Sequence, residues 1–355
     1  MKESRENKPS VHDVDLAYYE KLFDEWGEPG YRARQMWSGL YQNLWSNPDQ
    51  FTIFPHKLRN GLEDYFSWKT LLVKSNLISR DNETWKVLFK LNDELSIEAV
   101  LMDYDRRCTL CISTQVGCSM GCIFCATGRM GFQRNLTSGE IIEQILSFTR
   151  QLELTGRKIS NIVMMGMGEP FHNYQNTMDA IRRLNQQDGF NMGARRFTIS
   201  TVGIIPALRR FIKEKSQVNL AISLHAADDN LRSTIVPVNR KYPIEDLISA
   251  CCDYVDTTNR RISFEWILIQ EVNDSIEQAE KLAKLCKAFK HNGSYLCHVN
   301  LIPLNPIEGF SKKPSTSQRA EIFRKTLSRH NIPATIRTKR GIDINAGCGQ
   351  LASKN

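Results

Sequence analysis

The sequence predicts an α/β fold in which a mostly parallel sheet, open or closed into a barrel, follows an N-terminal helical region and a β-hairpin. Three observations predict it. The first eighty or so residues carry apolar side chains at helical spacing, as in Leu22 and Trp26, then Met36, Trp37 and Leu40. From Trp85 the pattern changes to two short strand-like runs around the polar turn Asn92-Asp93-Glu94. Beyond them, strand-like and helix-like segments alternate, the mark of a parallel sheet whose functional groups collect at the carboxyl ends of its strands.

In order, helices are expected over 16–26 and 31–44, parted by the Gly27-Glu28-Pro29-Gly30 breaker, with a third starting at Pro55. "WKVLFKL" and "SIEAVLM" form the hairpin, and "RCTLCIST" is the next strand. A helix begins at Thr137, where Thr137 and Glu140 fit a capping box ahead of Ile141, Ile142 and Ile145. Later strands are expected over 161–167, 196–200, 218–223, 262–268 and 298–304. The helices between and after them are expected near 174–187, 205–215, 244–255, 275–289 and 317–330. The boundaries read as 1–80 helical accessory domain, 81–103 hairpin extension, 104–340 core and 341–355 C-terminal segment. There is no internal repeat.

Composition narrows the class. The 355 residues are 41% hydrophobic, with no run near the roughly 18 apolar residues that cross a bilayer. The opening MKESRENKPS is too polar for a signal peptide or anchor, so the chain reads as cytosolic. In that reducing setting its ten cysteines are read as metal ligands, reactive thiols or core residues, not as a disulfide framework. A net charge of +8 permits RNA binding without showing it.

"CSMGCIFC" places Cys118, Cys122 and Cys125 in a C-x3-C-x2-C loop. Zinc sites usually close with four ligands in two separated pairs, and no partner pair is evident. Three thiolates suit a 4Fe–4S cluster with one iron left open. Gly117 and Gly121 let the loop wrap, and Phe124 shields one side. A zinc site and simple core packing are the remaining alternatives.

This spacing, with an aromatic before the third cysteine, resembles the radical S-adenosylmethionine (SAM) superfamily. "GMGEP", ending in Gly168-Glu169-Pro170, resembles the element that holds the cofactor's amino group there. The likeness narrows with "LCISTQVGCSMGCIFCATGRMGFQRNL", "SLHA", "VNDS", "LIPLNP" and "GIDINAGCGQL", in that order. Together they resemble the RlmN/Cfr family of radical SAM RNA adenine methyltransferases over about residues 98–351, and "GEPGYRARQMW" extends the match N-terminally. The resemblance implies a partial (βα)6 barrel, one 4Fe–4S cluster on Cys118, Cys122 and Cys125, and two SAM molecules per turnover.

Carbons 2 and 8 of adenine are electron-poor and cannot attack a methyl sulfonium, whereas a thiolate can. By resemblance, Cys348 takes a methyl from one SAM, and a deoxyadenosyl radical from a second abstracts hydrogen from it. The carbon radical then adds to adenine. Cys111 matches the resolving thiol, which attacks the Cys348 sulfur and leaves a transient disulfide. Strand alternation puts Cys111 on a face with Thr109 and Ser113. Cys348, between Gly347 and Gly349, reads as part of a flexible loop. Glu98 matches the proton acceptor; from the residues alone it is either that base or a solvated edge carboxylate. Gly168, Glu169, Ser200, Ser223, Leu224, His225 and Asn305 carry over as SAM contacts. Cys108, Cys251, Cys252, Cys286 and Cys297 read as structural.

The implied substrates are an adenine at the peptidyl transferase centre of 23S rRNA and the adenine 3′ to the anticodon of tRNA, methylated at carbon 2. A flavodoxin or ferredoxin would supply electrons to a monomeric enzyme. Tyr31, Arg32, Arg34, Arg337, Lys339 and Arg340 are candidates for phosphate contact, around a pocket that takes an extruded base. Three alternatives stay open: the carbon-8 (Cfr-like) reaction, a radical activase of another protein, and a non-catalytic zinc RNA module.

Overall fold

The computed structural model describes residues 8–105, 107–291 and 293–352; residues 1–7 of the polar opening and 353–355 of the C-terminal segment lie outside these. The accessory region folds as α1 (Leu16–Glu25), α2 (Tyr31–Tyr41) and α3 (His56–Tyr65). Asp15 caps α1 by accepting from the backbone of Tyr18 at 2.9 Å, satisfying a donor the helix itself leaves unpaired. Tyr19, Phe23, Trp37, Leu58 and Leu62 bury the inner faces, each large aliphatic side chain contributing about 2 kcal/mol. The region is fixed to the rest of the chain by polar contacts. Asp13 Oδ1 accepts from Gly139 N at 2.6 Å, and Arg183 donates to the carbonyls of His12 and Asp13 at 2.7 and 2.8 Å.

The expected hairpin has three strands: β1 (Leu71–Ile78), β2 (Thr84–Leu91) and β3 (Ser96–Tyr104), all antiparallel. Strand β1 falls within the stretch read as helical, which therefore ends at Tyr65. The reason is a register shift between Val73 and Ser75 that breaks the period-2 signal, leaving Leu72, Val73, Leu77 and Ile78 exposed.

β3 then pairs with β4 (Arg107–Cys111), where the parallel part of the sheet begins. A small ribbon of β5 (Gln115–Gly117) and β6 (Phe132–Asn135) flanks the cysteine loop and the one-turn α4 (Ala126–Arg129). The core continues through α5 (Ser138–Glu153), β7 (Asn161–Met164), α6 (Tyr174–Asn185), β8 (Phe197–Thr201), α7 (Ile205–Lys213) and β9 (Asn219–Ser223). After these come α8 (Asp229–Ile235), α9 (Ile244–Thr258), β10 (Ile262–Leu268) and α10 (Ile276–Cys286). Last are the ribbon β11 (Lys290–His291) with β12 (Ser294–Tyr295), then β13 (Cys297–Pro303), α11 (Ser317–Arg329) and β14 (Ala334–Ile336).

Strands β4, β7, β8, β9, β10 and β13 pair in parallel and in that order, the six strands of the expected partial barrel. Short β14 adds a seventh beside β13 and was not anticipated from three residues of sequence. The Thr137 capping box is present, with Glu140 N donating to Thr137 Oγ1 and Thr137 N to Glu140 Oε2. No described helix is long and apolar enough to cross a membrane.

Candidate active site

Two glycines shape the cysteine loop. Gly117 has φ +71°, and a Cβ there would lie 1.9 Å from Gly131 O, the same carbonyl that accepts from Cys118 N at 2.9 Å. Only glycine fits. Gly121, at φ +65°, turns the chain again before Cys122. Cys125 N donates to Cys122 O at 3.2 Å as α4 begins. Phe124 packs edge-on against His225 with centroids 4.7 Å apart.

Cys118, Cys122 and Cys125 line one cavity together with Gly168, Glu169, Ser200, Ser223 and His225. Among the described residues no three thiol, imidazole or carboxylate groups converge closely enough for a single metal ion. Three thiols on the wall of one cavity match the donor set of a 4Fe–4S cluster with one iron left open.

The residues expected to contact SAM sit at or after strand ends. Gly168 has φ +102°, and a Cβ there would meet Gln115 at 2.6 Å, so the turn presses on that side chain. Gln115 Oε1 in return accepts from Glu169 N at 2.8 Å. The Glu169 carboxylate accepts from Phe171 N and Val202 N, both at 2.9 Å, and burial pushes its pKa up to about 7. Ser200 and Ser223 are joined by hydroxyls 3.3 Å apart. His225 has φ +64° and accepts from Ile267 N at Nδ1, 3.1 Å away. Burial, aided by the Arg232 charge, lowers its pKa to about 3. It is therefore neutral, with the proton on Nε2.

Leu224 is fully buried and does not line the cavity with its neighbours; its carbonyl accepts from Arg232 Nε at 2.9 Å. Arg232, which sequence reading missed, also donates to Val202 O at 2.7 Å and Asn239 Oδ1 at 2.8 Å while wholly buried. It ties the loops after β8 and β9 together. The available signal was one arginine among the mixed residues of "NLRSTIV", too slight to separate from a surface charge.

A second cavity adjoins the first. Cys111, Cys125, Arg337, Asn305 and Cys348 line it, and Cys125 and Cys348 line both. Cys111 ends β4 with its side chain on the half-buried face, as alternation predicted, opposite Val100 of β3. Cys348 is not in a loose loop. Asn305 Nδ2 donates to its carbonyl at 3.1 Å, Ala126 N to Gly349 O at 2.7 Å and Thr127 Oγ1 to Leu351 O at 2.6 Å. Small residues are needed because the segment is pressed close: a Cβ at Gly347 would meet Asn305 Nδ2 at 2.5 Å.

Arg337 was expected on the RNA rim, but its half-buried side chain lines the thiol cavity. Burial and the neighbouring Cys348 push the Cys111 thiol up to about 12, and Arg337 opposes that rise at both Cys111 and Cys348. Arg340 is likewise committed, paired with Glu83 and stacked 4.3 Å over the Tyr104 ring. Arg32 donates to Ile53 O at 2.6 Å, whereas Tyr31 (55% exposed), Arg34 and Lys339 remain at the surface.

Glu98 is not at a solvated edge. It lies 2% exposed in β3, which is paired on both sides, with Lys86 Nζ 3.0 Å from Oε1 and Ala352 N donating to Oε2 at 2.8 Å. It borders a third cavity beneath the C-terminal segment, not the one that holds both thiols. No disulfide joins any of the ten cysteines, Cys111 and Cys348 included.

Known proteins resemble this arrangement over nearly the whole chain. Residues 112–288 match the model of the radical SAM superfamily. A probable dual-specificity RNA methyltransferase RlmN of Chloroflexus aurantiacus is 45% identical over 97% of this chain and 93% of its own length. A dual-specificity RNA methyltransferase RlmN 1 of Myxococcus xanthus is 41% identical over 96% of this chain and 94% of its own. The chain belongs to the RlmN family of radical SAM RNA methyltransferases. A crystal structure of a radical SAM methyltransferase from Sphaerobacter thermophilus superposes with a TM-score of 0.94, at 46% identity, covering 98% of this chain and all of that one. In this RlmN-family chain one cavity is lined by Cys118, Cys122, Cys125 and Cys348 and the adjoining one by Cys111, Cys125 and Cys348.

Proposed function

We propose that this chain methylates carbon 2 of an adenine at the peptidyl transferase centre of 23S rRNA and of the adenine 3′ to the anticodon in tRNA. One observation carries the reading: Cys348 lines both the cavity of the three cluster cysteines and the cavity that contains Cys111. A thiol so placed can receive a methyl on one side and present it to a base on the other.

In this reading Cys118, Cys122 and Cys125 hold a 4Fe–4S cluster, and Gly168, Glu169, Ser200, Ser223, Leu224, His225 and Asn305 position SAM. A cluster and SAM held there would supply a carbon-centred radical by one-electron cleavage of the sulfonium, two SAM being consumed per product. His225 offers only its Nε2 proton, since Nδ1 is occupied by Ile267 N. Beyond its two backbone bonds and the Thr201 hydroxyl, the Glu169 carboxylate keeps acceptor capacity for an ammonium proton. Leu224 contributes through its backbone and packing.

Cys348 carries the methyl as S-methylcysteine. Arg337 favours the thiolate forms that both sulfur steps need. Glu98 is assigned as the acceptor of the adenine proton, a role that requires the C-terminal segment to move, because Glu98 holds Lys86 and Ala352 N beside a separate cavity; Cys111 then attacks the Cys348 sulfur. The product leaves and a transient Cys111–Cys348 disulfide remains for reduction. The enzyme works as a cytoplasmic monomer supplied with electrons by a flavodoxin or ferredoxin.

Mass spectrometry of nucleosides from 23S rRNA and tRNA incubated with the reconstituted protein tests the reading. 2-Methyladenosine in both RNAs is the expected result. 8-Methyladenosine in its place would assign the carbon-8 reaction.

A further inference from the structure

The amino ends of β8, β9 and β10 face away from the thiols and enclose a polar depression. Arg195, Arg260 and Arg261 line it with Gln217 and Asn219, and no lining residue is acidic. Gln217 Oε1 accepts from Arg195 Nη2 at 3.1 Å and from Arg260 Nη1 at 3.0 Å. Arg260 Nη2 donates to Asn219 Oδ1 at 2.7 Å, which fixes its plane. Two guanidinium groups thus converge on one neutral oxygen, with a third arginine on the same wall. None of the three has a carboxylate partner among the described residues.

Like charges held this close repel, and an amide oxygen offsets little of that repulsion. An anion with several oxygens offsets far more of it than an amide does, and the planar forks of arginine match a phosphate. Protein carboxylates could have filled the same role, but none is present. The thiols and carboxylates of the two adjoining cavities lie at the other end of the same strands. Asn219 and Ser223 mark the two ends of β9, about 13 Å apart at the ordinary rise of a strand.

We propose that this depression binds phosphodiester groups of the substrate RNA, as an anchoring site separate from the catalytic cavity. The inference rests on the large-RNA substrate proposed above. RNA that touches both sites must pass around the helices outside the sheet. A large folded rRNA can do this. A short anticodon stem-loop seated over Cys348 cannot, so the site favours the larger substrate.

The test compares wild-type protein with R195Q/R260Q/R261Q, both reconstituted, in binding to a full-length 23S rRNA transcript and to a short anticodon stem-loop across a KCl series. The slope of log affinity against log salt for 23S rRNA should fall by about 2 in the triple variant, as three lost phosphate contacts require. The stem-loop slope should not move. A charge-matched control at exposed positions elsewhere, K284Q/K325Q/R329Q, should bind both RNAs as wild type does. An unchanged 23S slope, an equal loss on both RNAs, or the same loss in the control would each overturn the proposal. Thermal melting checks that the triple variant is folded. If it is not, R261Q alone is read, with an expected fall of about 0.7 in slope. Wild-type methylation of both RNAs is measured alongside. Its absence would sink the proposed substrate reading, whereas unchanged binding with methylation intact would sink only this one.

Discussion

Lys86 Nζ lies 3.0 Å from Glu98 Oε1 in an interior where both side chains are almost fully buried, and the second carboxylate oxygen holds the backbone of Ala352. The base candidate, the hairpin and the segment bearing Cys348 are thereby one polar unit. Removing either charge strands the other, a loss of about 3–5 kcal/mol. Lys86→Met should therefore lower the melting temperature by several degrees. Adding Glu98→Gln in the same chain should recover much of that loss. A double variant no more stable than the sum of the singles would show that the pair is not coupled.

Gly117 tests the cysteine loop without touching a thiol. With only 1.9 Å to Gly131 O, Gly117→Ala must displace the β5–β6 ribbon. After anaerobic reconstitution this variant should retain well under half the iron of wild type per chain, with far-ultraviolet circular dichroism preserved. Full iron content would show that the loop has slack the structure does not suggest.

The two distant thiols separate by experiment. Cys348→Ala should abolish methylation and keep the cluster's visible absorbance. Cys111→Ala should leave RNA bound covalently to the protein, seen as a slow band on a denaturing gel. Normal product release by the Cys111 variant would remove the resolving role.

His225 makes a prediction of sign. Its folded pKa of about 3 lies below the ordinary histidine value, so the unfolded chain binds the extra proton first. Its contribution to stability is full above about pH 6.5 and declines as pH falls from there toward 3. In urea melts of the apoprotein, His225→Asn should flatten the stability profile across that window relative to wild type. A parallel profile would show that other groups set the acid response.

Much of this was legible in sequence because the signals were local. The C-x3-C-x2-C spacing, the Thr137 capping box and the alternation at Cys111 each depend on residues within one turn or one strand. β1 was missed because its bulge destroys the alternation that identifies a strand. Arg337 was misplaced because a basic residue after a strand reads as surface unless one knows what faces it. Arg232 was invisible for a similar reason: its acceptors lie on three loops up to 30 residues away.

By itself the sequence determined the family and the six parallel core strands with most of the helices between them, and it named Cys118, Cys122, Cys125, Cys111 and Cys348 as the thiols to examine. Tertiary structure decided which groups share a cavity. It put Cys348, 237 positions after Cys111, against the same wall, buried Glu98 under Ala352 and turned Arg337 inward. These outcomes depend on the packing of the C-terminal segment across the sheet, and contacts between such distant parts of the chain leave no periodic trace in sequence.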